Sequence, residues 1–165
     1  MGREMERLDN RRWGLESNCF VCEERNPGGL GVPFFADHDR QVVTARFTLD
    51  DRFSGAPTYV HGGVVLAILD EAMAWATIAL AGCFALTKET TTRFRAPVMV
   101  GQPYEVRARV DADDGSELDC RAEVLDGTGA VCAEASATFV ALGPAQALEA
   151  AGGEVPDGAR EFIRG

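Results

Sequence analysis

Two polar groups of residues stand out in the stretch from Tyr59 to Leu80, where most other side chains are apolar. They are His61-Gly62-Gly63 and the carboxylate pair Asp70-Glu71. At a helix start near Gly63, unpaired N–H groups would suit an anion or a developing oxyanion, and glycines let a ligand approach the backbone closely. A carboxylate among apolar side chains has its neutral form favoured by desolvation, which is useful for acid/base or nucleophilic work. The combination predicts carbonyl chemistry.

The element that positions these residues is a helix predicted to start near Gly63. The stretch is rich in alanine, contains no proline and runs for about five turns at 3.6 residues per turn. Apolar side chains on every face indicate a helix that is buried all round, either in a core or in a bilayer. Asp70 and Glu71 near its middle argue against the bilayer, where carboxylates are costly. We therefore expect a central core helix.

Strand patterns lie on both sides of this helix. Residues 34–36, 40–49 and 84–95 are rich in β-branched and aromatic side chains. Period-2 alternation predicts three further strands near 104–111, 118–124 and 131–139, with turns at 113–116 and 126–129. One sheet curled around one buried helix satisfies both patterns, so we predict an α+β fold with a long helix wrapped by a curled antiparallel sheet.

Three segments follow from this pattern. Residues 17–142 are predicted to form the folded domain. Residues 1–16 are dense in charge and are predicted to be an N-terminal extension with a short, loosely docked helix. Residues 143–165 are rich in Ala, Gly and Glu and are predicted to be a flexible C-terminal tail, disordered or carrying a weakly docked helix.

Composition restricts the partners and the compartment. The formal charge of −10 disfavours nucleic acid or an anionic membrane as a general partner. The charged N-terminus has no apolar h-region, so no secretory signal is predicted. Five cysteines are an odd count, and without such a signal they indicate reduced thiols in a cytosol. We expect a cytoplasmic protein.

At His61-Gly-Gly-x6-Asp70-Glu71 the chain resembles the hotdog-fold thioesterases, in the PaaI-like branch of the 4-hydroxybenzoyl-CoA thioesterase superfamily. The likeness covers roughly residues 18–142, and the helix motif with its spacing is the specific part. Weaker matches are Cys19-Phe-Val-Cys22, Asn26-Pro27, Gly29-Leu30, Arg93-Phe-Arg-Ala-Pro97, Asp126-Gly127 and Ala133-Glu134. The resemblance implies a hotdog fold and an acyl-CoA thioesterase that uses no metal and no redox cofactor.

The same resemblance implies roles for individual residues. Asp70 would act as nucleophile or general base on a thioester carbonyl, and the Gly62 N–H would help to form the oxyanion hole. His61 would orient the carbonyl or the loop, and Thr87 on the following strand would position the attacking water. Gly55 stands where some relatives carry Asn, so one polar substrate contact of those relatives is absent here.

Several of these residues also have a purely structural interpretation. His61 could simply tie the helix start to the backbone, and Thr87 lies in a run of strand threonines. Glu71 lies about 100° around the helix from Asp70, so the two should not share one site. We interpret Glu71 as structural, for example at a subunit contact.

The Cys19-x-x-Cys22 pair could indicate a zinc or a redox site. Zinc needs two further ligands, and only His38 lies within reach in sequence. A thioredoxin-like motif should open a helix, whereas Asn26-Pro-Gly-Gly29 follows this pair. We therefore interpret the two residues as structural or incidental thiols and predict no metal.

The densest basic group comprises Arg93, Arg95, Arg107 and Arg109. These residues could form a solvated face of two strands, or one or two of them could hold the phosphates of coenzyme A. We assign Arg93 and Arg95, together with Gly63, to substrate binding.

Helix geometry places a demand on the assembly. Gly62 and Asp70 lie roughly 12 Å apart along a helix at 1.5 Å per residue, yet both would have to lie about 3 Å from one carbonyl group. A site built from two subunits meets this demand. We therefore predict a homodimer as the minimum catalytic unit, and the resemblance allows a homotetramer.

Two other functions stay open at this point. A hydratase or dehydratase could act on acyl thioesters with the same fold. A non-catalytic acyl-CoA-binding module is the other possibility, and the Gly55 substitution is compatible with it. The sequence leaves open the acyl group and whether the thioester is carried by coenzyme A or by a carrier protein.

Overall fold

Helix α1 (Gly62–Ala79) lies at the centre of the computed structural model, which describes residues 5–165. It begins one residue before the predicted start, because His61 is its N-cap and accepts a hydrogen bond from the Gly63 N–H. It ends before Gly82, whose φ of +64° lies in the left-handed region that glycine adopts at little cost. The predicted core helix is therefore present.

One seven-stranded antiparallel sheet curls around α1. Its strands are β1 (Glu6–Leu8), β2 (Phe34–Asp37), β3 (Val42–Thr48), β6 (Ala85–Phe94), β7 (Pro103–Asp113), β8 (Glu117–Leu125) and β9 (Val131–Ala141). The strand order is β1-β2-β3-β7-β8-β9-β6. A separate hairpin, β4 (Ser54–Ala56) with β5 (Tyr59–Val60), precedes the helix and was not predicted. The α+β prediction of a helix wrapped by a curled sheet is confirmed.

The sheet covers only one side of α1. A continuous set of its side chains is buried, including Val65, Ile68, Leu69, Ala72, Met73 and Ala76. Leu66, Ala67, Asp70 and Ala74 remain partly exposed on the other side. The expectation of a helix buried all round is thus wrong for a single chain, because one sheet can cover only one face. By length and composition alone α1 could cross a membrane, a criterion that the core helix of a soluble protein also meets.

In the described part of residues 1–16, the predicted short helix is a 3-10 helix that follows a strand that was not predicted. β1 pairs with β2 at the edge of the main sheet. The 3-10 helix Asn10–Trp13 follows, with Asp9 as its N-cap. The Trp13 ring lies 5.8 Å from that of Trp75 on α1, so this segment is part of the fold. Charge density hid these contacts, since only Leu8 and Trp13 in the described part of this charged segment pack against the core.

Of the two alternatives predicted for the C-terminal tail, disorder or a weakly docked helix, the structure has a helix. Helix α2 (Pro144–Ala150) and the 3-10 helix Asp157–Phe162 pack against the domain, and Phe162 O accepts a hydrogen bond from Phe84 N–H. Arg164 donates to both carboxylate oxygens of Asp113, at 2.6 and 2.7 Å, and to Ala81 O at 3.1 Å. One charged side chain near the last residue therefore holds a segment whose composition resembles that of a disordered tail.

We predict that Arg164→Ala releases the tail. The change removes a bidentate, partly buried ion pair and should lower the free energy of unfolding by about 1–2 kcal/mol, measured by urea denaturation. Amide hydrogen exchange in residues 144–165 should accelerate. The matched control is Arg121→Ala, which breaks a more exposed pair with Asp111 and should change stability by less than about 0.5 kcal/mol.

The same pair should show a defined pH dependence. The hydrogen bond from Arg164 holds the pKa of Asp113 below its ordinary value of 3.8. A carboxyl group whose pKa is lower in the folded state stabilises the fold fully above the ordinary value and loses this contribution as the pH falls through the folded value. The difference in the free energy of unfolding between the wild type and Arg164→Ala should therefore shrink as the pH falls through this acid range. A difference that is constant with pH would contradict this assignment.

Candidate active site

The start of α1 is held by His61. Its backbone N–H donates to Phe53 O at 2.8 Å, and its Nδ1 accepts from the Gly63 N–H at 2.9 Å. Because Nδ1 is an acceptor, a neutral His61 carries its ring proton on Nε2. His61 therefore caps the helix, the structural role that sequence alone could not separate from substrate orientation.

Gly62 is the first residue of α1, and its N–H donates to no acceptor among residues 5–165. Gly62 is exposed, and a Cβ built on it would meet the Phe94 ring of β6 at 3.7 Å. The next glycine differs, since a Cβ on Gly63 would come within 3.1 Å of the His61 Nδ1. The helix start thus presents an open backbone donor beside an exposed aromatic ring.

Gly55 lies directly against the helix cap. A Cβ at this position would approach the His61 Cα to 3.2 Å and its Cδ2 to 3.4 Å. The position where some relatives carry Asn is therefore adjacent to the predicted oxyanion site. In this chain a larger side chain there would require His61 to shift.

Asp70 and Thr87 are brought together. The Thr87 hydroxyl on β6 donates to the Asp70 Oδ1 at 2.6 Å, a distance typical of a strong hydrogen bond to a charged acceptor. Thr87 precedes a register shift between β6 and β9. After this shift the residues of β6 that pair with the inward face of β9 are Thr90 with Ala137, Thr92 with Ala135, and Phe94 with Ala133. One carboxylate oxygen is held by Thr87, so the other can take a proton or attack a carbonyl carbon.

Gly62 and Asp70 do not meet within the chain. They lie on one continuous helix of 18 residues, and their eight-residue separation corresponds to roughly 12 Å of helix. Cavities of about 520 and 770 Å³ lie on the outer face of the sheet and beneath the C-terminal segment, and neither is lined by Asp70, Thr87 or His61.

The two predicted substrate-binding arginines lie apart from Asp70. Arg93 pairs in register with Glu134 and lines the 520 Å³ cavity on the outer face of the sheet, with Arg107, Arg109 and Arg121. Arg95 forms an ion pair with Glu134 at 2.6 Å. The outer face therefore carries these residues, and the helix-facing side carries Thr87.

Glu71 faces a different part of the chain from Asp70. The Cys19 thiol donates to its Oε1 at 3.3 Å. Burial, together with the nearby Cys19, raises the pKa of Glu71 to about 8, so the carboxylate expected to favour its neutral form is Glu71. Hydrogen bonds from Cys22 and from the backbone lower the pKa of Cys19. Sequence reasoning missed this contact because 52 positions separate the two residues.

Comparison with known proteins gives one family match and one curated relative. Residues 58–133 match the model of the thioesterase superfamily. The uncharacterized mitochondrial membrane protein FMP10 of Saccharomyces cerevisiae is 25% identical over 131 residues, which is 75% of this chain. The match covers 54% of FMP10, so the chain spans about half the length of this relative.

Solved structures share the architecture. The thioesterase superfamily protein RHA08564 superposes with a TM-score of 0.67 at 24% identity, over 72% of this chain and 60% of that one. A phenylacetic acid degradation-related protein of Ralstonia eutropha JMP134 is 25% identical and superposes with a TM-score of 0.59, over 67% of this chain and 85% of that one. The protein smu.793 of Streptococcus mutans UA159, solved with bound acetyl-CoA, superposes with a TM-score of 0.59 at 17% identity. The match covers 62% of this chain and 82% of that one.

These matches agree with the observed fold. The matched residues 58–133 include all of α1, the Asp70–Thr87 contact and the sheet strands β6, β7 and β8. The chain has the hotdog fold, and residues 58–133 are similar to the thioesterase superfamily.

Proposed function

We propose that this protein hydrolyses an acyl-CoA thioester, with Asp70 as the nucleophile or general base. The observation that carries the proposal is the 2.6 Å hydrogen bond from Thr87 to Asp70 on a helix whose side chains are mostly apolar. The superfamily match and the acetyl-CoA bound to smu.793 support a coenzyme A thioester as the substrate.

The reaction needs a donor for the carbonyl oxygen as well as a carboxylate. The unpaired Gly62 N–H at the positive end of α1 would stabilise the oxyanion that forms when the carbonyl carbon is attacked. Thr87 would hold the carboxylate, and with it the attacking water, in place. His61 would fix the direction of the Gly62 N–H through its cap on Gly63.

We propose that the working unit is a homodimer. Among residues 5–165, β6 is an edge strand of 10 residues that pairs only with β9, and its Leu86 and Phe94 are 57% and 55% exposed. Such an edge can pair with a second copy, which would also cover the partly exposed face of α1. This arrangement would bring the Gly62 N–H of one subunit toward Asp70 of the other.

Two further expectations stay predictions: the pairing of dimers into a tetramer, and a cytoplasmic location. The name of FMP10 places that relative at a mitochondrial membrane.

The first test is Asp70→Asn with a panel of short, long and aromatic acyl-CoAs. Loss of the carboxylate should lower kcat by at least about 100-fold, as expected for a general base or a nucleophile, with the released coenzyme A quantified by chromatography. Asp119→Asn is the matched control, because Asp119 also accepts a threonine hydroxyl, that of Thr138, at an exposed position. If the wild type binds acyl-CoA but releases no free coenzyme A, the result would favour a non-catalytic acyl-CoA-binding module. A change in the double bond of a crotonyl thioester would indicate a hydratase.

The second test concerns Thr87. Thr87→Val removes the hydroxyl and keeps the shape, so kcat should fall by about ten-fold, the cost of one hydrogen bond to a charged group. Thr87→Ser should retain most activity because it keeps the hydroxyl. Thr138→Val removes the corresponding hydroxyl from the Asp119 pair and should leave kcat unchanged. Equal effects of the two valine substitutions would contradict a role for Thr87.

The third test asks whether one site uses two subunits. Gly62→Pro removes the proposed oxyanion donor, and proline is well tolerated at the first helical position. The preceding His61 has φ −59° and ψ 132°, the extended conformation that a following proline favours. We expect Gly62→Pro to be folded and inactive.

Mixing the two inactive variants then provides the decisive comparison. Suppose that each active site combines Gly62 of one subunit with Asp70 of the other. A heterodimer of Gly62→Pro with Asp70→Asn then has one active site with both groups intact and one active site with neither. Random co-assembly should therefore restore about a quarter of wild-type activity, since half of the dimers are mixed and each has one working site. The absence of any recovery in verified heterodimers would show that each chain supplies a complete site.

A further inference from the structure

A cluster of two thiols and one carboxylate lies on the side of α1 to which Glu71 points. The sulfur atoms of Cys19 and Cys22 and a carboxylate oxygen of Glu71 all lie within 4.8 Å of one another, and all three residues are partly buried. The remaining cysteines of the chain, Cys83, Cys120 and Cys132, are buried and lie outside this cluster. The proposed hydrolysis of a thioester uses none of these groups.

The loop that carries the thiols is held in place by its own backbone. Val21 and Cys22 both donate their N–H groups to the Cys19 sulfur at 3.4 Å. Leu30 N–H donates to Phe20 O at 2.7 Å and Val32 N–H donates to Val21 O at 2.8 Å, so the segment after the pair closes back onto it. N–H donors aimed at a sulfur atom stabilise a thiolate and orient it as a ligand.

Glycine makes this closure possible. A Cβ on Gly29 would come within 2.6 Å of Phe20 O, which is too close for any side chain. The Gly-Gly sequence after Asn26-Pro27, which argued against a thioredoxin-like helix, therefore lets the chain pass close to the thiol turn. The two sulfur atoms are placed by a defined loop and lie against the helix.

The distances suit a tetrahedral ion. Zinc bonds of about 2.3 Å to sulfur and about 2.1 Å to oxygen place a sulfur and an oxygen ligand about 3.6 Å apart. The Cys19 Sγ and the Glu71 Oε1 are 3.3 Å apart, close to this value. Two thiolates with one carboxylate form a donor set that zinc accepts, and three protein ligands leave a fourth position for water.

We propose that Cys19, Cys22 and Glu71 bind a divalent zinc ion that ties the N-terminal loop to α1. This assignment reverses the sequence-based prediction of no metal, because the third ligand comes from the helix and not from His38. It also assigns Glu71 a partner within its own chain. The site is separate from Asp70, so it stands independently of the proposed thioesterase activity.

Cobalt is the probe for the test, since it replaces zinc at thiolate sites and absorbs light there. Protein purified under reducing conditions and stripped with a chelator should bind one Co²⁺ per chain, with thiolate-to-cobalt charge-transfer absorption that Zn²⁺ abolishes. Cys19→Ser and Cys22→Ser should each remove this absorption. Glu71→Gln should weaken Co²⁺ binding at least ten-fold, since even the loss of a residue outside the ligand set costs about 10–100-fold. Cys132→Ser is the matched control and should bind as the wild type does.

Two further measurements keep the outcome decisive. The thermal unfolding midpoint of the wild type should rise with Zn²⁺ concentration, and that of Glu71→Gln, which keeps the size of the side chain, should rise only at Zn²⁺ concentrations at least about ten-fold higher. This comparison serves even if the serine variants do not fold. The absence of saturable Co²⁺ absorption, or equal binding by all four variants, would overturn the proposal. So would a Cys19–Cys22 disulfide that forms in air in a protein binding no Co²⁺ after reduction, a result that indicates a redox pair.

Discussion

The architecture depends on a helix that has apolar side chains on every face and a sheet that can cover only one of them. The buried side of α1 is formed by residues such as Ile68, Leu69 and Ala72, which are fully enclosed. At about 25 cal/mol per Å², burial of such side chains is the main stabilising contribution. The opposite side, with Leu66 and Asp70, is left partly open. Placing Asp70 on the uncovered side keeps it reachable, whereas the covered side has no room for a substrate.

Helix α1 carries few polar groups, and each of them faces a different part of the structure. The helix start is capped by a side chain, and the Gly62 N–H has no acceptor in the described part of the chain. In the middle, two consecutive carboxylates point to different neighbours: Asp70 to a threonine of β6, and Glu71 to a thiol of the N-terminal loop. Because consecutive helix positions differ by about 100°, one element can serve two chemically distinct surroundings. The helix thus acts as the common support of both groups.

The sequence predicted the parts of this structure that repeat with a regular period. The core strands and α1 appear within a few residues of their predicted bounds, because burial on one face forces alternation or helical spacing. The family resemblance assigned both Thr87 and Asp70 to the site, and the structure adds a hydrogen bond between them that was not predicted. The packing of the N-terminal segment through Trp13 and of the C-terminal segment through Arg164 was missed, since a few specific contacts leave no periodic pattern. The position of Arg93 was not predictable, because a register shift within β6 decides which face it occupies.

The two ends of the described chain meet in one aromatic cluster. The ring of Trp13 lies 5.1 Å from that of Phe162, and Phe84 lies between the two segments, 6.1 Å from Trp13 and 5.1 Å from Phe162. During synthesis Trp13 is made well before Phe162, with α1 and the strands of the sheet between them. The sheet and α1 can therefore assemble before this cluster closes. A chain that stops short of Phe162 would leave the rings of Trp13 and Phe84 without this partner, so closure of the cluster marks a late step of folding.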